Sequence, residues 1–210
     1  IKNIEKIVTQ EAINCDFERK SNYVYTLKLE ELEKIKKEVE VVNSLGFPAK
    51  FVQEIDLPFR TLGAIEFPNQ AQFNPCKYAD GLVKAIMKKK NISIYENTKI
   101  VDVKKANLAE KLQGISKEGG QYNALTENGK TITAKYVVLA THYPIINIPG
   151  YYFLKMYQEM SYLIGIETEE ILPNGMYINS EKPTISFRVA KGNEKNLLLR
   201  FGVLSHITVI

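Results

Sequence analysis

The chain has 210 residues, 45% of them apolar and 25% charged, with a formal net charge of +4. Those proportions are ordinary for a soluble globular protein of one domain or two small ones. The mild charge, spread along the chain, argues against a nucleic-acid partner, and no stretch approaches the roughly 20 apolar residues of a membrane span.

Taken in chain order, Ile1, Ile4, Ile7 and Val8 recur at helical spacing and predict a short amphipathic helix over residues 1–13. A second helix carries Leu29, Leu32, Ile35, Val39 and Val42 on one face and Glu30, Glu31, Lys34, Lys36 and Lys37 on the other, with Gly46 and Pro48 as its stop. Phe51 to Phe67 is apolar but broken by Pro58 and Gly63 and followed by Pro68, which predicts short strands and loops. Asn74-Pro75 sets an N-cap and a first-turn proline before a helix with a Tyr78, Leu82, Val83 and Ile86 stripe. That helix should end at Lys88-Lys89-Lys90, where positive charge complements the helix dipole.

Ile92–Glu96 and Lys99–Val103 read as strands, and Asn128-Gly129 between Tyr122–Thr126 and Thr131–Lys135 is a hairpin signal. Val137-Val138-Leu139-Ala140 is continuously apolar, the mark of a strand covered on both faces in a parallel sheet. Thr141-His142-Tyr143-Pro144 would then follow at its carboxyl end, where open α/β sheets bind ligands. Ser161–Glu167, Met176–Asn179, Thr184–Ala190 and Asn196–Phe201 predict an antiparallel meander in which Ile185, Phe187 and Val189 face one side and Ser186 and Arg188 the other. The fold class is therefore mixed α/β (α+β).

Two cysteines, Cys15 and Cys76, are too few for a disulfide framework and lack metal-ligand spacing. They are expected to be reduced, buried thiols of a cytoplasmic protein. The sequence holds no Gly-x-Gly-x-x-Gly, no phosphate-binding loop and no Gly-x-Ser-x-Gly elbow, and its histidines, His142 and His206, are far apart. No catalytic constellation is assigned.

The string TITAKYVVLATHYPIINIPG, Thr131 to Gly150, resembles the second flavin-contacting region of the D-amino acid oxidase family, where a strand ends in a small turn against the cofactor. Asn74-Pro75 with its helix, followed by Ile94-Tyr95-Glu96-Asn97-Thr98-Lys99-Ile100-Val101, is similar to that family's segment in which backbone around a valine lies beside the adenine. Cys15-Asp16-Phe17-Glu18-Arg19, Asn69-Gln70-Ala71-Gln72-Phe73, and Ser161-Tyr162 after Tyr152-Phe153 look like bacterial members known as amine or gamma-glutamylputrescine oxidoreductases. The resemblance runs from about Ile4 to Gly202. It departs at both ends. No glycine-rich strand–loop–helix precedes Ile1, and Val203-Leu204-Ser205-His206 does not match the family's glycine-rich, His-containing turn. Because Ile1 is not a methionine and opens directly into helical periodicity, the chain is expected to be an internal fragment of something longer.

The resemblance implies FAD as cofactor of the parent protein, with Val101, Ala140, Thr141 and His142 at the flavin. It also implies a small-molecule amine or amino acid held by Gln72, Phe73, Tyr162 and Arg188, with Gln70 and Arg200 nearby. Each residue has a plainer alternative. Val101 and Ala140 can be ordinary strand residues, His142 a structural histidine, Arg188 and Arg200 members of surface ion pairs. Residues 1–73 are expected to open the substrate domain, 74–150 to form the second half of the flavin domain, and 151–210 to complete the substrate sheet.

The activity implied is oxidation of a C–N bond by hydride transfer to flavin, giving an imine that hydrolyses. The fragment alone should not turn over, and an apolar edge stripped of its neighbours is expected to favour self-association. The alternative is a non-catalytic small-molecule binding module that keeps the substrate-domain fold and lacks the cofactor site.

Overall fold

The computed structural model describes residues 1–106, 122–143, 145–146, 150–156, 161–169, 172–191 and 196–203. The chain divides into two compact units, one of Ile1–Lys90 with Glu159–Ile210, the other of Asn91–Gln158.

The first unit begins with α1 (Lys2–Gln10), shorter than the helix expected over residues 1–13. Ala12 takes a left-handed backbone, φ 51°, and the Ile13 amide turns back to the Val8 carbonyl at 2.9 Å, which closes the helix. β1 (Glu18–Thr26) follows, then α2 (Leu29–Ser44), where the amphipathic spacing predicts a helix. Gly46, φ 81°, ends α2 in the same way: its amide reaches the Asn43 carbonyl at 3.0 Å and that of Phe47 reaches Val42 at 3.2 Å.

β2 (Lys50–Val52) is short, but β3 (Gly63–Gln72) is a ten-residue strand that runs through Pro68. The sequence predicts short strands and loops here, because a proline cannot donate to a ladder. A bulge accommodates it. Lys20 pairs with Gln70 and Asn22 with Phe67, so Ser21 alone faces Pro68 and Asn69, and Asn69 takes φ 55°. α3 (Pro75–Met87) starts as expected, with the Asn74 side chain accepting from the Cys76 and Lys77 amides at 3.0 and 3.1 Å, and stops at the lysine run. Cys15 is buried, but Cys76 is exposed, a correction to its expected burial, because position two of α3 faces away from the core.

Four strands complete this unit: β7 (Ser161–Thr168), β8 (Met176–Asn179), β9 (Ile185–Lys191) and β10 (Asn196–Val203) (the numbers β4 to β6 belong to the second unit, described below). The seven-stranded order is β2-β3-β1-β8-β9-β10-β7. β8, β9 and β10 form the expected meander, but β7 lies at the far edge beside β10, so the four strands are not in sequence order. β1 joins the two halves, antiparallel to β3 and parallel to β8.

One face of the sheet buries Ile65 against Ile35 and Ala49, with Val39, Val42 and Phe67 around them, under α2. The other buries Tyr25, Ala64 and Tyr177 with Ile55, Leu57 and Phe187 under the loop after β2. Tyr23 and Tyr177 stack there at 5.1 Å, and burial, with Asp56 and Tyr23 adding to it, pushes the Tyr177 phenol well above its ordinary range.

The second unit holds a three-stranded antiparallel sheet, β4 (Ile100–Lys105), β5 (Tyr122–Thr126) and β6 (Thr131–Ala134). The β5–β6 hairpin turns at Asn128-Gly129 as expected, with the Thr126 hydroxyl donating to Asn128 Oδ1 at 2.5 Å. Two expected strands are absent. Ile92–Glu96 makes no ladder, and residues 136–140 lie outside regular structure with Val138 87% exposed. A doubly covered strand needs a partner on each side to satisfy its backbone, and among the described residues nothing pairs with Val137–Ala140.

Glu181, in the turn between β8 and β9, is 8% exposed. Its Oε1 accepts from the Thr26 hydroxyl at 2.5 Å and from the Leu27 and Lys28 amides at 2.7 and 3.2 Å, tying that turn to the β1–α2 junction. Burial pushes its pKa up, but the bonds from Thr26, Leu27 and Lys28 outweigh this and hold it below the ordinary 4.5. Stability from this group is therefore present above pH 4.5 and is lost as pH falls through the folded-state value. Glu181→Gln should cost about 1–3 kcal/mol in denaturant unfolding at neutral pH and flatten the acid limb of the stability curve. A second expectation concerns Gly81, where a Cβ would sit 2.3 Å from Ile13 Cγ2. Gly81→Ala should destabilise despite a helix-propensity gain of about 1 kcal/mol, and Ile13→Ala should offset part of that loss in a double-mutant cycle.

Candidate functional site: a polar notch in the large sheet and an exposed turn at Thr141–Tyr143

β8 is only four residues long, and this opens a notch in the sheet. It pairs with Asn22–Tyr25 of β1 and with Ser186–Arg188 of β9. Glu18–Ser21 on one side and Val189–Lys191 on the other extend past its start without a β8 partner. The Gln72 side chain spans this gap, its Nε2 donating to the Val189 carbonyl at 2.7 Å and to Glu18 Oε2 at 3.3 Å. With Nε2 committed, the amide orientation is fixed, and Oε1 is buried with no hydrogen-bond partner among the described residues.

Strand alternation decides what else faces this place. Glu18 pairs with Gln72, Lys20 with Gln70, Asn22 with Met176, and Met176 with Arg188, so these side chains share one face. Lys20 Nζ lies 3.4 Å from Glu18 Oε2, with the lysine side chain 8% exposed and the glutamate 43%. Burial pulls the Arg188 pKa below its ordinary value, though a guanidinium stays charged throughout the working range of pH. This face of the sheet thus carries two cationic side chains, one carboxylate and an oriented amide around the notch.

Of the residues singled out in the sequence, Gln72 and Arg188 come together here. Phe73 follows Gln72 in the chain, and its ring packs edge-on to Tyr78 of α3 at 5.2 Å. Tyr162 does not join them. Arg188 pairs with Leu199 and Leu199 with Gly165, which places Tyr162, three residues before Gly165, on the opposite face of edge strand β7. Arg200, paired with Phe187, also lies on that opposite face. Gln70 bonds locally, to the Pro68 carbonyl at 3.2 Å. Glu18 and Lys20 were not singled out, because no strand was recognised over them; their alternation with Asn22 is the signal that finds them once β1 is known.

In the second unit, Ile100 pairs with Thr126 and Asp102 with Leu125, so Val101 is a bulge whose backbone leaves the regular ladder. Ala140, Thr141 and His142 are exposed. The Tyr143 amide donates to the Thr141 carbonyl at 2.6 Å across His142, whose φ of 62° is a strained backbone for a residue with a side chain. The Thr141 hydroxyl donates to the Tyr143 carbonyl at 2.8 Å, completing a tight turn. Bulged backbone at Val101 and a small exposed residue at Ala140 suit close approach by a flat cofactor. Pro144 and residues 147–149 of the flavin-like string lie outside the described residues.

Residues 1–183 match the family described as FAD dependent oxidoreductase, DAO. A Bacillus subtilis (strain 168) protein named "Putative Rieske 2Fe-2S iron-sulfur protein YhfW" is 29% identical over 208 residues, which are 99% of this chain and 38% of that protein. Glycine oxidase from Bacillus cereus superposes at TM-score 0.67 and 13% identity, covering 99% of this chain and 55% of its own. L-proline dehydrogenase from P. horikoshii gives 0.64 at 17% identity, with 99% and 55% covered. L-amino acid deaminase from Proteus vulgaris gives 0.60 at 14%, with 94% and 45% covered. The superpositions show a shared fold, and the chain spans about half or less of the length of these proteins.

The bridging role of Gln72 has a direct check. Gln72→Leu should cost about 1 kcal/mol and speed amide exchange at Val189–Lys191, whereas Gln70→Leu should leave exchange in β9 unchanged.

Proposed function

This chain belongs to the FAD dependent oxidoreductase family, and on that premise we propose that it is part of a longer flavoprotein that oxidises the C–N bond of an amine or amino acid. The observation that carries the reading past family membership is the notch at the start of β8. It presents an oriented amide and buried cations in a family whose solved relatives include a glycine oxidase and an L-amino acid deaminase.

Residues 1–73 and 151–210 form the substrate side in this reading, supported by the β1–β8 pairing that makes one sheet of them. Residues 74–150 belong to the cofactor half. Val101, through its bulged backbone, and Ala140, Thr141 and His142, at their exposed turn, would hold part of FAD. The sequence has no Gly-x-Gly-x-x-Gly, so the pyrophosphate falls to a segment of the parent outside this chain. FAD supplies the two-electron acceptor for hydride leaving the carbon beside nitrogen. The chain's own residues bind and orient: Arg188 and Gln72 fix polar groups of the substrate, and Phe73 supplies an apolar wall. Tyr162, on the opposite face, would line a different part of the substrate path.

Two finer points belong to the same reading. The strings Cys15–Arg19 and Asn69–Phe73 favour an amine or gamma-glutamylputrescine-type substrate. The name of the Bacillus subtilis relative favours a 2Fe-2S cluster, a one-electron carrier, as destination of the electrons.

The test compares this chain with its longer parent. Anaerobic addition of a panel of amines and D- and L-amino acids should bleach the flavin absorbance of the parent, while this chain with added FAD and a dye acceptor shows no turnover. Turnover by this chain alone would remove the need for a parent. A parent that holds no flavin would instead support the non-catalytic binding module.

A further inference from the structure

The seven-stranded sheet has two edges, and they differ in how they are protected. β2, at one edge, has three residues and includes Lys50. β7, at the other, has eight residues and keeps a regular register with β10 along its whole length. It holds no lysine, arginine or proline, and no charge before Glu167. Among the described residues nothing pairs with its outer edge. Short strands, lysines, prolines and bulges are the usual guards of a sheet edge, and β7 lacks all of them.

Both faces of β7 are apolar as well. Tyr162, Ile164 and Ile166 alternate on one face, 43%, 54% and 50% exposed, with Leu198 of β10 beside Ile166. Leu163, 54% exposed, and Gly165 lie on the other face. There Leu197 and Leu199 lean over the glycine, and a Cβ on it would meet Leu197 Cδ1 at 3.3 Å. A strand that fits this edge is extended, uncharged at its centre and apolar on both faces. β7 itself meets that description.

We propose that the outer edge of β7 pairs antiparallel with β7 of a second copy of this chain, making a dimer with one continuous sheet. A two-fold axis at Ile164 sets Ile164 against its own copy, Tyr162 against Ile166, Leu163 against Gly165 and Ser161 against Glu167. In that register Leu163 packs over a glycine, and the Glu167 carboxylate meets a hydroxyl rather than a like charge. Arg200 pairs with Ile164 from β10, so it stays three strand spacings from its copy, about 14 Å, where salt screens the repulsion. Association stops at two chains, because both copies use their long edge and β2 is too short to continue the sheet. Self-association then belongs to β7 rather than to Val137–Ala140, which form no strand. The dimer goes beyond the C–N oxidation reading and stands without it.

The test is sedimentation equilibrium of this chain over a range of concentrations. The expected result is a monomer–dimer equilibrium with no larger species. Ile164→Lys sets two ammonium groups face to face and should weaken the dimer about tenfold or more, whereas Val138→Lys should leave it unchanged. Hydrogen exchange at β9 and β10 reports whether the sheet survives the substitution. Cys76 is exposed and Cys15 buried, so a Cys76→Ser background removes the accessible thiol. In it, Ile164→Cys should cross-link between chains under mild oxidation, and Val138→Cys should not. A monomer at every concentration, open-ended association, or a dimer that Ile164→Lys leaves intact would overturn the proposal. So would cross-linking at position 138 in place of 164. If Ile164→Lys disrupts the sheet, the cysteine result decides.

Discussion

The parallel pairing of β1 with β8 is the contact on which the larger unit depends. It joins segments more than 150 residues apart in sequence, and closing a loop of that length is entropically unfavourable unless many contacts form together. They do. β1 is hydrogen-bonded on both edges and covered on both faces, and Glu181 fastens its carboxyl end to the turn that follows β8. A buried carboxylate with three donors is stable in a way that a buried carboxylate with none is not. The same pairing makes the notch, because β8 is shorter than both neighbours and starts where β1 turns from polar to apolar.

Much of the fold was legible where local chemistry is explicit. Asn74-Pro75, Gly46 and Asn128-Gly129 each force one backbone geometry, and the structure has a cap, a helix stop and a hairpin at those positions. The mixed α/β class followed from them. β1 was not legible, because Glu18–Asn22 is polar on both faces and bulky apolar or aromatic side chains occupy only Tyr23–Tyr25, too short a run to mark a strand. β3 was hidden by Pro68, whose cost is met by a bulge that only the partner strand reveals. Val137–Ala140 failed for the opposite reason: its apolar run states a preference for burial, but burial as a strand needs neighbours that these residues do not find here.

The candidate site divides along the same line. Gln72, Phe73 and Arg188 were visible through resemblance, since their strings look like flavoprotein substrate segments. Tyr162 looked equivalent in the sequence, and only the strand order, with β7 beyond β10, places it on the other face. Glu18 lies within the resembling string Cys15–Arg19 without being set apart there, and Lys20 lies just beyond it. What singles them out is tertiary: a lysine side chain only 8% exposed, a glutamate beside it in solvent, and an amide between strands with one oxygen unused. The bulge at Val101 is a comparable case in the smaller unit, where resemblance named the residue and register shows its backbone out of the ladder.

Everything functional here turns on whether the notch is where a small amine-bearing molecule sits. Hydrogen–deuterium exchange of the chain, with and without saturating amino acid, addresses that most directly. The account expects protection at residues 18–22, 70–73 and 187–191, with the β4–β6 sheet unchanged. Protection confined to the loop of residues 53–62, or to any segment away from the start of β8, would contradict it.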